Sequence, residues 1–203
     1  MKTFEAKALL DQLERDTQVI TSIVRKEFSV LDTEALNWKP SPKTWNILEC
    51  LDHMNIAVEH YLKVVEAGIK TAKNKGWGWR PVFKSSRIGN YFVKSMTPTS
   101  TGEIKSKMKT LGKFKAFDII PDQPNRTIDR FLQNQHTLLD LISRSREIDI
   151  QRVKVKSAIG SIITFRLGDA LRFAIGHNQR HIIQAQRLIK AMNVIDKPLD
   201  KVA

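Results

Sequence analysis

The sequence predicts an all-α protein, a four-helix bundle with a long crossover between its second and third helices. Two observations carry this prediction. Four long stretches have apolar residues at three- and four-residue steps, and no run of residues alternates convincingly as a strand does. Helices with such apolar stripes cannot bury them separately, and packing together is the economical solution. We therefore expect a single helical-bundle domain over residues 1–203.

Apolar periodicity and helix-boundary signals place the four helices. In the first, apolar residues recur at helical steps from Leu9 to Phe28. Pro40 and Pro42 then stop any continuation, and Thr44 is a good N-cap for the second helix. The predicted bounds are about 4–28, 44–74, 126–146 and 166–193.

The connections between these helices differ in length. Residues 75–125 join the second and third helices, a link long enough to cross the bundle, and we expect a short helical piece at 101–111. Residues 148–165 alternate in places, which fits either an extended pair of strands or a loop.

The composition indicates a soluble, cytoplasmic protein, because no segment resembles a signal peptide or a membrane span and there is one cysteine. The net charge is +13, and residues 63–115 hold thirteen Lys or Arg against two acids, a surplus of +11. The segment from Lys63 to Lys115 is therefore either a solvated basic connection or a surface for an anionic partner such as nucleic acid.

Two histidines on the fourth helix are the main candidates for chemistry. His177 and His181 stand four residues apart, which places their imidazoles one above the other on one helix face. His181 falls within the apolar stripe and His177 beside it, so both should point into the bundle. Buried imidazoles need partners. The pair is either hydrogen-bonded in the core or holds a divalent metal ion.

A third ligand must come from another helix, and His53 on the second helix is the best candidate. It lies at the edge of the apolar stripe beside small residues, of which Cys50 could be a fourth ligand or a packing residue. His60 lies about 10 Å further along the helix and should not reach the same ion. We expect a surface or supporting role for His60 and a solvent-facing or capping role for His136.

Three further residues lie near these histidines in the sequence. Glu49 precedes His53 by one turn, and it is either a proton acceptor that supports the site or a surface carboxylate. Arg180 should face away from the ion, and Trp45 should close the core and not contact substrate.

With these residues in place, the chain resembles the DinB-like superfamily of metal-binding four-helix bundles. Residues 45–53 resemble the family's Trp-Ser-Ile-x-Glu-x-x-x-His helix opening, with Asn46 in place of the usual serine. Residues 177–181 resemble its His-x-x-x-His motif on the last helix, where Asn178 replaces a common glutamate. The resemblance implies zinc, nickel or a similar ion held by His53, His177 and His181, and often a homodimer.

The resemblance also implies a choice of activities. Characterised relatives include transferases or isomerases that use a low-molecular-weight thiol, and others are called metal-dependent hydrolases. We expect a metal-dependent hydrolase or thiol transferase that acts on a small molecule. The basic segment could attract an anionic substrate. We expect no membrane partner. The alternative is a non-catalytic stress-response or nucleic-acid-associated binding protein in which the metal is structural.

Overall fold

Helices make up most of the chain, as the apolar periodicity predicts. A computed structural model describes residues 2–104, 119–160 and 162–195, and these residues are 66% helix with a few short strands. The helices are α1 (Ala6–Ile23), α2 (Thr33–Asn37), α3 (Ile47–Asn74), α4 (Arg87–Met96), α5 (Pro124–Arg144) and α6 (Leu167–Ile195). The strands are β1 (Thr3–Glu5), β2 (Val82–Lys84), β3 (Lys154–Lys156) and β4 (Thr164–Arg166).

The ends of the first two long helices differ from prediction by a few residues. The helical path of α1 continues to Phe28, but residues 24–28 form a wider π-helical turn. Helix α3 begins after Asn46 and not after Thr44, whose hydroxyl instead donates to the carbonyl of Ser41. Asn46 is the better cap because it forms a reciprocal pair of hydrogen bonds with Glu49.

The four long helices pack around one apolar core. Helices α1 and α3 each contact both α5 and α6, and large side chains such as Phe28, Leu51, Phe131 and Leu171 are fully buried between them. Arg130 of α5 also reaches across to α3, where it binds the carboxylates of Glu59 at 2.7 Å and Asp52 at 3.0 Å. This packing fixes the position of α3 against its neighbours.

The chain just before α4 is anchored to the start of α6 by a buried carboxylate. Asp169 is fully buried and accepts hydrogen bonds from the hydroxyls of Ser85 and Ser86 and from the backbone N–H of Ser86. Arg172 donates to the same carboxylate at 3.1 Å, and its guanidinium lies 4.5 Å from the ring centroid of Phe4. These bonds fix the residues just before α4, and α4 itself packs on α6.

Short antiparallel strands pack against the helices, whereas the sequence leaves only residues 148–165 open to an extended pair. Strand β1 pairs with β2, and β3 pairs with β4, so residues 148–165 contain an extended pair and not only a loop. The helical piece predicted at 101–111 falls mainly on residues 105–111, which lie outside the described residues. Residues 101–104 are not helical.

Candidate metal centre

Three buried histidines meet where α3 packs against α6. His53 lies in the second turn of α3, and His177 and His181 lie one turn apart in the middle of α6. Their exposed fractions are 4%, 8% and 8%. The structure thus brings together the three residues that the sequence singles out, from parts of the chain more than a hundred residues apart.

The imidazole nitrogens of the three side chains converge on one small volume. Nε2 of His53 lies 3.0 Å from Nε2 of His177, and one nitrogen of each histidine lies within 4.8 Å of the others. The ring centroids are 4.6–4.8 Å apart for all three pairs. No other residue type contributes to this cluster among the residues that the structure describes.

The donor set fits a divalent transition metal. Two nitrogens bound at 2.0–2.1 Å to one tetrahedral ion are about 3.3 Å apart, so His53 and His177 need to separate by only a few tenths of an ångström. A distance of 3.0 Å also suits an N–H···N hydrogen bond, which the pair can form without an ion. Imidazole is a preferred ligand of zinc and nickel, and three of them leave a coordination position open.

The surroundings keep two of the imidazoles neutral, the state in which they can bind a metal. Burial lowers the pKa of His177 well below its ordinary value, and the positive charge that His181 and His53 would carry lowers it further. Burial and His53 likewise lower the pKa of His181 to about 3. Protons therefore compete weakly for these nitrogens at neutral pH.

This neutrality predicts an acid-sensitive metal-free protein. In the unfolded chain both imidazoles take up a proton near the ordinary pKa of about 6.5, but in the folded chain they do not, so stability is present above that pH and falls below it. Lowering the pH from 7.5 to 5.5 should reduce the free energy of unfolding by about 1.4 kcal/mol for each imidazole. Urea titrations of metal-free protein at the two pH values measure it. The His177→Gln, His181→Gln double variant should lack this part of the pH dependence of the unfolding free energy. An equal pH dependence in both proteins would contradict the view that the two imidazoles are neutral in the folded chain.

Gln184 is a supporting residue that sequence reasoning missed. Its Oε1 lies 3.0 Å from Nδ1 of His181, so the amide oxygen accepts from Nδ1–H and leaves Nε2 of His181 for the cluster. Ligating histidines usually donate their second N–H to such an acceptor, which fixes the tautomer and the ring orientation. The spacing of His181 and Gln184 could have indicated this contact, because residues three apart on a helix share a face.

Replacing Gln184 by leucine should weaken metal binding by about 10–100-fold, the usual effect of removing such a partner. The Gln184→Glu variant, which keeps an acceptor, should restore affinity, whereas loss of packing alone would not be rescued this way. Competition with a chromophoric chelator measures both. Gln186→Leu is the matched control, because Gln186 instead bonds Glu27. Equal metal affinities of the Gln184→Leu and Gln186→Leu proteins would show that Gln184 does not support the metal site.

Trp45 forms one wall of the histidine cluster. Its ring centroid lies 4.9 Å from that of His53, and it stacks on His181 at 5.8 Å with an interplanar angle of 24°. The side chain is half-buried. The sequence indicates a core-closing residue, and the indole does close this end of the core, but it does so directly over two of the three imidazoles.

Both carboxylate oxygens of Glu49 have partners at the start of α3. Its Oε2 accepts from the backbone N–H of Asn46 at 2.8 Å, and its Oε1 forms an ion pair with Lys39 at 2.6 Å. The carboxylate is not part of the histidine cluster found among the described residues. These contacts account for Glu49 as a helix cap, and a role in proton transfer would require the Lys39 pair to open.

The remaining sequence candidates lie apart from the cluster or pack around it. Cys50 is fully buried, which raises the pKa of its thiol and disfavours the thiolate that a metal needs. His60 lies beside the carbonyl of Lys156, and His136 is exposed. Arg180 is half-buried, and its charge helps to lower the pKa of His177 and His181.

Comparison with known proteins identifies the family of the chain. The family model for the DinB superfamily matches residues 12–185, a span that includes all three histidines. Curated proteins and solved structures give no significant match. Among the residues that the structure describes, no helix is both long and apolar enough to cross a membrane.

Proposed function

Since this chain belongs to the DinB superfamily, we propose that it is a metal-dependent enzyme that holds one zinc or nickel ion through His53, His177 and His181. The observation that carries the proposal is the convergence of three buried imidazoles, with nitrogens within 4.8 Å of one another, on one volume between α3 and α6. Three neutral nitrogen ligands are typical of catalytic sites, whereas structural zinc sites are usually closed by four protein ligands.

The packing of the helices supports a site built between the helices of a bundle. Helices α1, α5, α3 and α6 contact one another in cyclic order, which we interpret as a four-helix bundle formed by a single domain, with the chain between α3 and α5 as its crossover. Sites in such bundles are built from side chains on facing helices. Whether two copies associate stays a prediction.

The reaction class follows from the open position. A bound divalent ion would supply Lewis-acid activation of a water for hydrolysis or of a low-molecular-weight thiol for transfer. Gln184 would hold His181 in the ligating tautomer, and Trp45 would keep bulk water from one side of the imidazoles. Cys50 cannot serve as the thiol because it is fully buried, so a transferase would have to bind one from solution.

An activity screen with and without metal tests this proposal. Protein purified without a chelator or histidine tag is assayed on small esters, amides and thiol-acceptor pairs, then stripped of metal and reloaded. We expect activity to rise with pH through the pKa of the activated nucleophile, to vanish on chelation and to return with zinc or nickel.

Two variants sharpen the screen. Glu49→Gln keeps the acceptor for Asn46 but loses the charge, so it should slow turnover with metal content nearly unchanged if Glu49 accepts a proton. His177→Ala should be inactive. Activity that survives both chelation and His177→Ala would exclude a reaction at the histidines.

A further inference from the structure

A concave surface lies on the far part of α3, away from the histidines. A groove of about 500 Å³ runs between α3 and β3. Its floor is formed by the small residues Ala67, Gly68 and Thr71. Ala67 lies 14 residues after His53, about 21 Å along the helix axis. The groove is therefore separate from the site proposed above.

Gly68 allows the strand to lie close against the helix and so shapes the groove. A Cβ at this position would lie 2.9 Å from Cγ1 of Val153 and 3.1 Å from Cγ1 of Val155. With these valines buried on α3, the residues between and beside them must face outwards. The strand wall of the groove consequently carries Arg152, Lys154 and Lys156, all exposed.

The charge along this wall is uncompensated. No carboxylate is among the residues that line the groove. No ion pair found in the described part of the chain includes Lys154 or Lys156, and Glu147 and Glu66 pair with Lys73 and Arg144. Lys154 also pairs directly opposite Arg166 in the hairpin. Like charges opposite each other destabilise a strand pair, so the fold tolerates a cost that a bound anion would relieve.

The end wall of the groove is aromatic. Trp77 lines it, and the guanidinium of Arg152 lies 4.5 Å from the indole centroid, with the ammonium of Lys75 at 5.0 Å. The groove therefore combines a flat π surface, an apolar floor and a line of cations. Proteins that bind single strands without sequence preference combine a cationic groove with aromatic side chains on which bases stack.

We propose that this groove binds single-stranded nucleic acid, with phosphates along Arg152, Lys154 and Lys156 and a base that displaces the ammonium of Lys75 from the ring of Trp77. Alternate residues of a strand are about 7 Å apart, so the three cations follow an extended backbone over about 13 Å. An acidic peptide or a polyphosphate would use the cations but not the indole and the apolar floor. A duplex would present no unstacked base to them.

Charge-swapped variants separate the groove from the general basic character of the protein. In Lys154→Glu, Lys156→Glu two groove cations are reversed. The matched control, Arg25→Glu, Lys26→Glu, makes the same change of net charge at exposed residues after α1. Fluorescence anisotropy of a short labelled oligothymidine gives the affinity of each protein over a range of salt concentrations.

We expect the groove variant to bind at least about tenfold more weakly and to lower the slope of log affinity against log salt by about 1.4, the value for two lost phosphate contacts on a single strand. The control should change neither quantity by as much. Trp77→Leu should weaken binding by about 5–100-fold while leaving the salt slope unchanged, since stacking and not charge is removed.

Three results would overturn the proposal. They are equal weakening by the two double variants, competition by polyglutamate or polyphosphate as strong as by oligothymidine, and equal affinity for duplex DNA. Metal content is measured on the same samples. The metal content should be the same in every variant. Loss of oligonucleotide binding at the groove can therefore be distinguished from loss of metal binding at the histidines.

Discussion

Replacing His53 by alanine is expected to abolish stoichiometric binding of zinc or nickel. His53 is the only one of the three histidines on α3, so its loss leaves two imidazoles on α6 and removes the link between the helices. The effect should exceed the 10–100-fold change expected for an outer partner such as Gln184. Elemental analysis after extensive dialysis, together with chelator competition, measures the loss.

The other histidines supply matched controls for that experiment. His60→Ala and His136→Ala remove an imidazole outside the cluster, and both proteins should retain one ion per chain. His177→Ala and His181→Ala should behave as His53→Ala does. Full occupancy and affinity in the His53→Ala protein would show that the proposed ligand set is wrong.

Replacing Arg172 by methionine should cause the largest loss of stability among single substitutions at ion pairs. The change keeps an apolar stem but leaves the fully buried Asp169 carboxylate with only the donors of Ser85 and Ser86. Breaking a buried pair from one side typically costs about 3–5 kcal/mol. The contact of the guanidinium with Phe4 is lost as well. The midpoint of urea unfolding measures the difference.

Arg144 provides the comparison on the surface. It forms a bidentate pair with Glu66, but the two side chains are 33% and 50% exposed. Arg144→Met should therefore cost no more than about 1 kcal/mol. Adding Asp169→Asn to Arg172→Met should recover part of the loss, because the unpaired charge is removed. An Arg172→Met protein within about 1 kcal/mol of the wild type would contradict this account of the anchor.

The helical class of the fold and the shared face of His177 and His181 could be anticipated because both follow from local periodicity. Apolar residues at three- and four-residue steps define the long helices, and the same periodicity places His177 and His181 on one inward face. Membership of the DinB superfamily, expected from residues 45–53 and 177–181, is confirmed by the family match over residues 12–185. Helix ends were less accurate, since Asn46 and Thr44 are both good caps and only the reciprocal bond with Glu49 distinguishes them.

Features that depend on long-range contacts could not be predicted. Lys39 binds Glu49 from a loop ten residues away, and no spacing rule predicts that pair. Strand β1 finds its partner β2 across about eighty residues. The position of Trp45 over His53 and His181 depends on how α3 packs against α6. Gln184 is different, because its spacing from His181 was available in the sequence.

X-ray absorption at the metal edge of the zinc-loaded protein tests the central claim most directly. If His53, His177 and His181 hold the ion, the spectrum should show three imidazole nitrogens at about 2.0–2.1 Å and one further light atom in the open position. A shell that contains sulfur at about 2.3 Å, a shell of oxygen alone, or no uptake of one zinc per chain would contradict it.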